Sequence, residues 1–184
     1  MRSAVNISYF IFDSSIALFN FGYFFWQIST NLQDASFWFK ILTVGIIYIN
    51  VTFLHVSLSI LGKSQEKRKF LLFLYLSNTI FVILNFYSLL YDKLVLKFNL
   101  GYWPNNPTWI FNFYLIFWFW QAAYGIYLLY KGFLVSSGHK REQIRYFMFG
   151  CVMGFIGGAT NWPLWYNINI PPYLTILIAF HVPL

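Results

Sequence analysis

Polar residues in this chain are confined to short islands between long apolar runs. The runs cover residues 7–28, 37–61, 70–91, 109–130 and 146–165, and a last one covers 173–184. A helix needs about 20 apolar residues to cross a bilayer. The first five runs meet that length, whereas the sixth has 12 residues and falls short. A transmembrane barrel would show alternating segments of about ten residues, and these runs are continuous. The pattern predicts one domain over residues 1–184, an all-α, multi-pass transmembrane helical bundle of five full spans and a truncated sixth.

The stretch over residues 138–172 carries the densest information. It opens with His139, Lys140, Arg141 and Arg145 and passes directly into an apolar helix. Gly150, Gly154 and Gly158 recur every fourth residue and so share one helix face. Each glycine costs a water-exposed helix about 1 kcal/mol relative to alanine, but in a bilayer small residues let a second helix approach closely. Gly157 lies beside them. These four positions are expected to pack against another helix, either within the chain or across a homodimer. Trp162-Pro163-Leu164-Trp165-Tyr166 would then lie at the headgroup layer, where aromatic rings collect, and Pro171-Pro172 would turn the chain into the last run.

Composition strengthens the membrane reading. The chain is 59% hydrophobic, 24% aromatic and only 9% charged, with a mean hydropathy of +0.60. A soluble domain carries roughly a quarter charged residues. The net charge of +7 suggests a polyanion, yet the cations lie in short loops between apolar runs, which argues against nucleic acid. Nine of the twelve Lys and Arg fall in three places: Arg2, the 62–69 loop with Lys67, Arg68 and Lys69, and the 131–145 segment. The positive-inside rule assigns that side, and the N-terminus with it, to the cytoplasm of a cell-membrane protein. Lys67, Arg68, Lys69, Lys140, Arg141 and Arg145 are its expected anchors to the lipid bilayer.

Few residues can carry chemistry. Asp13 is the only acidic residue in a span, where a carboxylate costs on the order of 3 kcal/mol. His55 lies at a similar depth in the second run, about 9 Å from the same side at 1.5 Å per residue. A contact between them would form a proton-responsive pair; otherwise each satisfies itself inside the bundle. Asn20, Asn50, Asn78, Asn85, Asn112, Gln121 and Asn161 are read as interhelical hydrogen-bond donors and acceptors, or as the lining of a small-molecule cavity. The sequence Asn50-Val51-Thr52 fits a glycosylation acceptor but lies within a span. Cys151 is the single cysteine and reads as a packing residue. The three histidines show no ligand spacing, and neither a phosphate-binding loop nor a metal or nucleophile motif occurs. No cofactor or metal is expected, and the chain is not expected to be an enzyme.

Several blocks resemble a known family. They are Phe21-Gly22-Tyr23-Phe24-Phe25-Trp26-Gln27-Ile28, Phe53-Leu54-His55, Gly101-Tyr102-Trp103-Pro104 and Tyr124-Gly125-Ile126-Tyr127-Leu128-Leu129. The last and most specific block holds Arg141, Gln143, Ile144, Tyr146, Gly150, Gly154, Gly157, Gly158, Asn161, Pro171 and Pro172. Together they resemble the N-terminal seven-helix membrane region of bacterial sensor histidine kinases, with the first of the seven helices missing. The resemblance implies a sensory signal-input module of a two-component system, passing its signal to a cytoplasmic kinase or other output domain. It also implies a chain that is a fragment of a longer gene, a remnant or a stand-alone module. The competing reading from the residues alone is a small transporter or channel component.

Overall fold

A computed structural model describes residues 2–181, and side chains over residues 4–178. Six α-helices, a β-hairpin and a 3-10 helix follow one another along the chain. They are α1 (Arg2–Gln27), α2 (Leu32–Ile60), α3 (Arg68–Phe86), β1 (Tyr91–Leu96), β2 (Tyr102–Pro107), α4 (Trp109–Val135), α5 (Gly138–Ala159), α6 (Trp162–Trp165) and the 3-10 helix (Tyr173–His181).

The helix α2 is the axis of the bundle. Two thirds (67%) of its most apolar window is buried, against 28% for α1 and for α3. Its start is fixed locally: Asn31 accepts a hydrogen bond from the Asp34 amide at 2.9 Å and donates to the Asp34 carboxylate at 2.7 Å. That cap satisfies an otherwise orphaned amide and places a negative charge at the positive end of the helix. The core then runs along α2 through Phe39, Leu42, Ile47, Phe53 and Val56.

The helices α1 and α2 approach each other closely, backbone to backbone. A Cβ added to Gly22 would come within 2.6 Å of the Leu42 backbone nitrogen, and one added to Gly45 within 2.5 Å of the Phe19 nitrogen. These reciprocal glycines bring two backbones together, the role that small residues play between membrane helices. Neither belonged to the glycine face expected from the sequence. On α5 the expected stack is split. Gly154 is buried and Gly150 half-buried, while a Cβ on Gly157 would meet the Leu174 carbonyl oxygen at 2.6 Å. A Cβ on Gly158 would meet nothing within 4 Å. Within this chain Gly157, not Gly158, therefore makes the close contact, and it makes it with the 3-10 helix.

The structure corrects three boundaries. The third run does not stay helical to residue 91: α3 ends at Phe86, and Ser88 follows with φ of 58°. The connection 92–108, left between two apolar runs, is a hairpin, with Lys93 opposite Asn105 and Val95 opposite Trp103. Its reversal lies at residues 97–101, where Phe98, Asn99 and Gly101 take positive φ. The fifth run is not one helix either. The helix α5 stops at Ala159, and a turn leads into α6, which has Pro163 in its first turn. Proline is tolerated there because its missing N–H would be unsatisfied anyway.

Among the described residues, three helices are long and apolar enough to cross a membrane: Ala4–Gln27, Leu32–Ile60 and Arg68–Phe86. The 27-residue α4 carries many tryptophans and tyrosines, which hydropathy scales treat as weakly polar. The 22-residue α5 spends its first two turns on His139, Lys140, Arg141, Glu142 and Arg145. The 3-10 helix has nine residues, about 18 Å at 2.0 Å each, and residues 182–184 lie outside the described part. Apolar side chains such as Phe10, Phe24, Phe73, Ile80, Ile116 and Phe149 face outward, all more than half exposed. That arrangement suits hydrocarbon and not water, and the chain is a membrane protein.

Candidate ligand cavity

The basic segments gather at one end of the bundle and the hairpin at the other. Leu61, at the end of α2, lies against Gly132 of α4, beside Ile144 of α5. Around that end Lys67, Arg68, Lys69, Lys140, Arg141 and Arg145 are all exposed. Arg145 pairs with Glu142 at 2.5 Å, Lys67 approaches Glu66 at 3.5 Å, and Arg141 lies 4.5 Å from the centre of the Phe133 ring.

At the opposite end β1, β2 and α6 form a cap over the helices. Its central bond is made by Lys97, which is 5% exposed. The ammonium donates to the carbonyl of Pro104 at 2.6 Å and to Leu164 at 2.8 Å, with Trp165 at 3.5 Å. A buried ammonium normally needs a counter-charge. Here the substitutes are a strand carbonyl and the carbonyls of Leu164 and Trp165 at the C-terminal end of α6. Burial nonetheless lowers the Lys97 pKa from its ordinary value. Beside it, burial raises the Tyr91 phenol.

Beneath the cap lies an apolar cavity of about 50 Å³. Its wall is assembled from Tyr23 and Trp26 of α1, Phe39 and Leu42 of α2, Trp103 of β2, Trp118 of α4, Gly154 and Gly158 of α5, Trp162 and Trp165 of α6, and Ile178 of the 3-10 helix. Aromatic rings hold the wall in place. Trp26 meets Trp103 edge-on at 4.6 Å, and Phe111 stacks on Trp165 at 4.1 Å.

Asn161, one of the candidates named from sequence, sits in this wall and ties three elements together. Its Oδ1 accepts from the Tyr23 hydroxyl at 3.2 Å. Its Nδ2 donates to the Gly158 carbonyl at 3.1 Å and to Thr175 Oγ1 at 3.1 Å. One side chain thus links α1, α5 and the 3-10 helix at the edge of the cavity.

The other two candidates are not brought together. Asp13 is exposed on α1, and its electrostatic neighbours are Tyr9 and Cys151. His55 is hydrogen-bonded through Nδ1 to the Tyr75 hydroxyl of α3 at 3.0 Å. No Asp13–His55 ion pair forms among the described residues. Besides Asn161, four of the interior amides bond across helices. Asn78 donates to Gln121 at 3.2 Å, Asn50 to the Trp118 carbonyl at 2.8 Å and Asn85 to the Lys40 carbonyl at 3.0 Å. No group of three or more His, Cys, Asp or Glu that could hold a metal occurs among the described residues.

The sequence pattern did not point to Lys97, Trp26, Trp103, Trp118 or the Gly22–Gly45 crossing. A lysine in an outer loop reads as solvated, and a tryptophan near a helix end reads as an interface anchor. Only the hairpin, by folding back over the helix ends, makes either of them part of a site.

Searches of curated proteins and of solved structures returned no significant match. A family model described as the N-terminal 7TM region of histidine kinase matches residues 2–182. With nearly its whole length matched, the chain belongs to that family, whose members are the sensory input region of such kinases and not their catalytic part.

Proposed function

We propose that this chain is a sensory module that reads the state of the capped cavity and reports it through the 3-10 helix to a histidine kinase or other output domain. The observation that carries the reading is Asn161. It is in the cavity wall and is bonded both to Tyr23 of α1 and to Thr175 of the 3-10 helix. A ligand changes the packing of that helix only if it binds one arrangement better than the other. A rearranged wall would break or remake the Asn161 bonds, and Ile178 couples the helix to the same cavity.

In this reading α4 and α5 also cross the bilayer. At 1.5 Å per residue they are about 40 and 33 Å long, against about 30 Å of hydrocarbon. That gives five full spans, the basic end in the cytoplasm and the cap outside. Anionic lipid headgroups then meet the exposed cations. The 3-10 helix returns from the outer end towards the cytoplasm, and the kinase attaches beyond it.

The test is a fusion of residues 1–184 to the catalytic core of a histidine kinase, reconstituted in liposomes. Asn161→Leu is expected to change the autophosphorylation rate several-fold relative to the unsubstituted fusion, without any solute flux across the liposome wall. An unchanged rate would contradict the coupling, and flux would favour a transport role.

A further inference from the structure

The outward face of α1 is polar where that of α3 is not. Asn6, Asp13, Asn20 and Gln27 stand seven residues apart on α1, and all four are exposed. None of the four side chains has a hydrogen-bond partner among the described residues. Phe10, Ala17 and Phe24 form a second exposed row at the same spacing. On α3 the outward residues Leu72, Phe73, Leu76, Ile80 and Ile83 are apolar, and the hydroxyls of Ser77 and Thr79 beside them donate to carbonyls of their own helix.

Together the two rows of α1 alternate at intervals of four and three residues, which is the a/d repeat of a two-stranded coiled coil. A strict repeat of seven stays on one partner when two helices wind around each other left-handedly. Asp13 and Asn20 lie in the middle of the 26-residue helix, away from both headgroup layers. Ionisable side chains at that depth almost always face protein or water rather than hydrocarbon, and amides there bond to a neighbouring helix. This face is therefore a contact surface for a second helix.

We infer that the second helix is α1 of another copy of this chain, in a parallel pair about a two-fold axis along the membrane normal. Copies oriented by the same loop charges share one topology, and a two-fold axis sets each residue of the seam opposite its own counterpart. An amide both donates and accepts, so Asn6, Asn20 and Gln27 each complement themselves, and one sequence supplies both sides of the match. At the Asp13 layer two carboxyls meet, and a proton held between them lets one donate to the other. Ala17 leaves room for the two backbones midway, as small residues do between membrane helices, with Phe10 and Phe24 packing on either side of it. The inner side of the same helix carries Tyr23 and Trp26 to the cavity, so the pair joins two cavities through one seam.

Disulfide trapping in liposomes at high lipid dilution tests the pairing. The full chain carries Cys151→Ala, which removes its single cysteine, and one new cysteine: Ala17→Cys in the seam, Leu18→Cys beside it, or Leu76→Cys on the outward face of α3. Copper phenanthroline is the oxidant, and the dimer fraction is read on non-reducing gels. Ala17→Cys is expected to give a dimer fraction several-fold above the other two. Adding Asn20→Leu, which removes an amide pair and no hydrogen bond inside the chain, should lower that fraction several-fold. Energy transfer between dye-labelled N-termini, with and without Asn20→Leu, gives the same reading where a cysteine variant does not fold. Equal trapping at all three positions would mean random collision, and no trapping at Ala17→Cys would leave the polar face to a different transmembrane helix; either result overturns the inference. A dimer fraction unmoved by Asn20→Leu overturns it too, because the amide match is what selects a second copy.

Discussion

Asn161 Nδ2 donates to Thr175 Oγ1 at 3.1 Å, and this bond joins the cavity wall to the segment nearest the kinase end of the family's architecture. Around it, Gly157 lets the 3-10 helix lie directly on α5, since a Cβ there would meet the Leu174 carbonyl oxygen at 2.6 Å. A hydrogen bond and a backbone contact thus fix one short helix, and both are adjacent to the cavity.

Neighbouring glycines on α5 should respond oppositely. Gly157→Ala forces the 3-10 helix away from α5, and overpacking of this kind costs about 1–3 kcal/mol. Gly158→Ala places its methyl where nothing lies within 4 Å and gains up to about 1 kcal/mol of helix propensity. Thermal unfolding of the two variants in the same detergent should bracket the parent. Equal destabilisation of both would contradict the packing described for Gly157.

The α1–α2 crossing should be less forgiving than any position on α5. Gly22→Val and Gly45→Val each drive a branched side chain into the opposing backbone, with a loss of about 3 kcal/mol or failure to fold. The readout is the folded fraction across an SDS titration. A Gly22→Val chain as stable as the parent would show that the two helices do not approach this closely.

Lys97 makes the cap pH-dependent, and the sign follows from burial. Its pKa is lowered in the folded state, so between that value and about 10.4 the unfolded cap binds more protons than the folded one. Stability of the cap therefore rises with pH across that window. Above about pH 10 the buried Tyr91, whose pKa is raised, acts in the opposite direction, because the unfolded phenol ionises first. Amide exchange in β1 and β2 should slow, after correction for intrinsic rates, as pH approaches 10. In Lys97→Met that rise should vanish, and its persistence would assign it to another group.

Double-mutant cycles separate the two readings of His55. His55 and Tyr75 are 3.0 Å apart, so Tyr75→Phe and His55→Ala should couple by about 0.5–1.5 kcal/mol, the worth of a hydrogen bond. Asp13 and His55, which do not meet, should add independently to within about 0.5 kcal/mol. A coupling above 1 kcal/mol for Asp13 and His55 would restore the proton-responsive pair as a real contact.

The helices were legible in the sequence because each apolar run of spanning length has only one way to satisfy its backbone in lipid. The hairpin was not. Proline disfavours a strand, yet β2 holds both Pro104 and Pro107, while the turn chemistry lies upstream at Asn99 and Gly101. Asn161 could be named as a cavity residue, but not its partners, which lie 138 positions upstream at Tyr23 and 14 downstream at Thr175. The fourfold glycine spacing pointed to α5, and Gly157 beside that face makes the close contact, with the 3-10 helix. Spacing gives a face, whereas the neighbour that needs the room is set by tertiary packing.

The central claim is that the seat of the 3-10 helix on α5 controls output. Its most direct test is the autophosphorylation rate of the kinase fusion carrying Gly157→Ala, compared with the unsubstituted fusion in the same liposomes. The account predicts a several-fold change for Gly157→Ala. A folded Gly157→Ala fusion with the parental rate would contradict it.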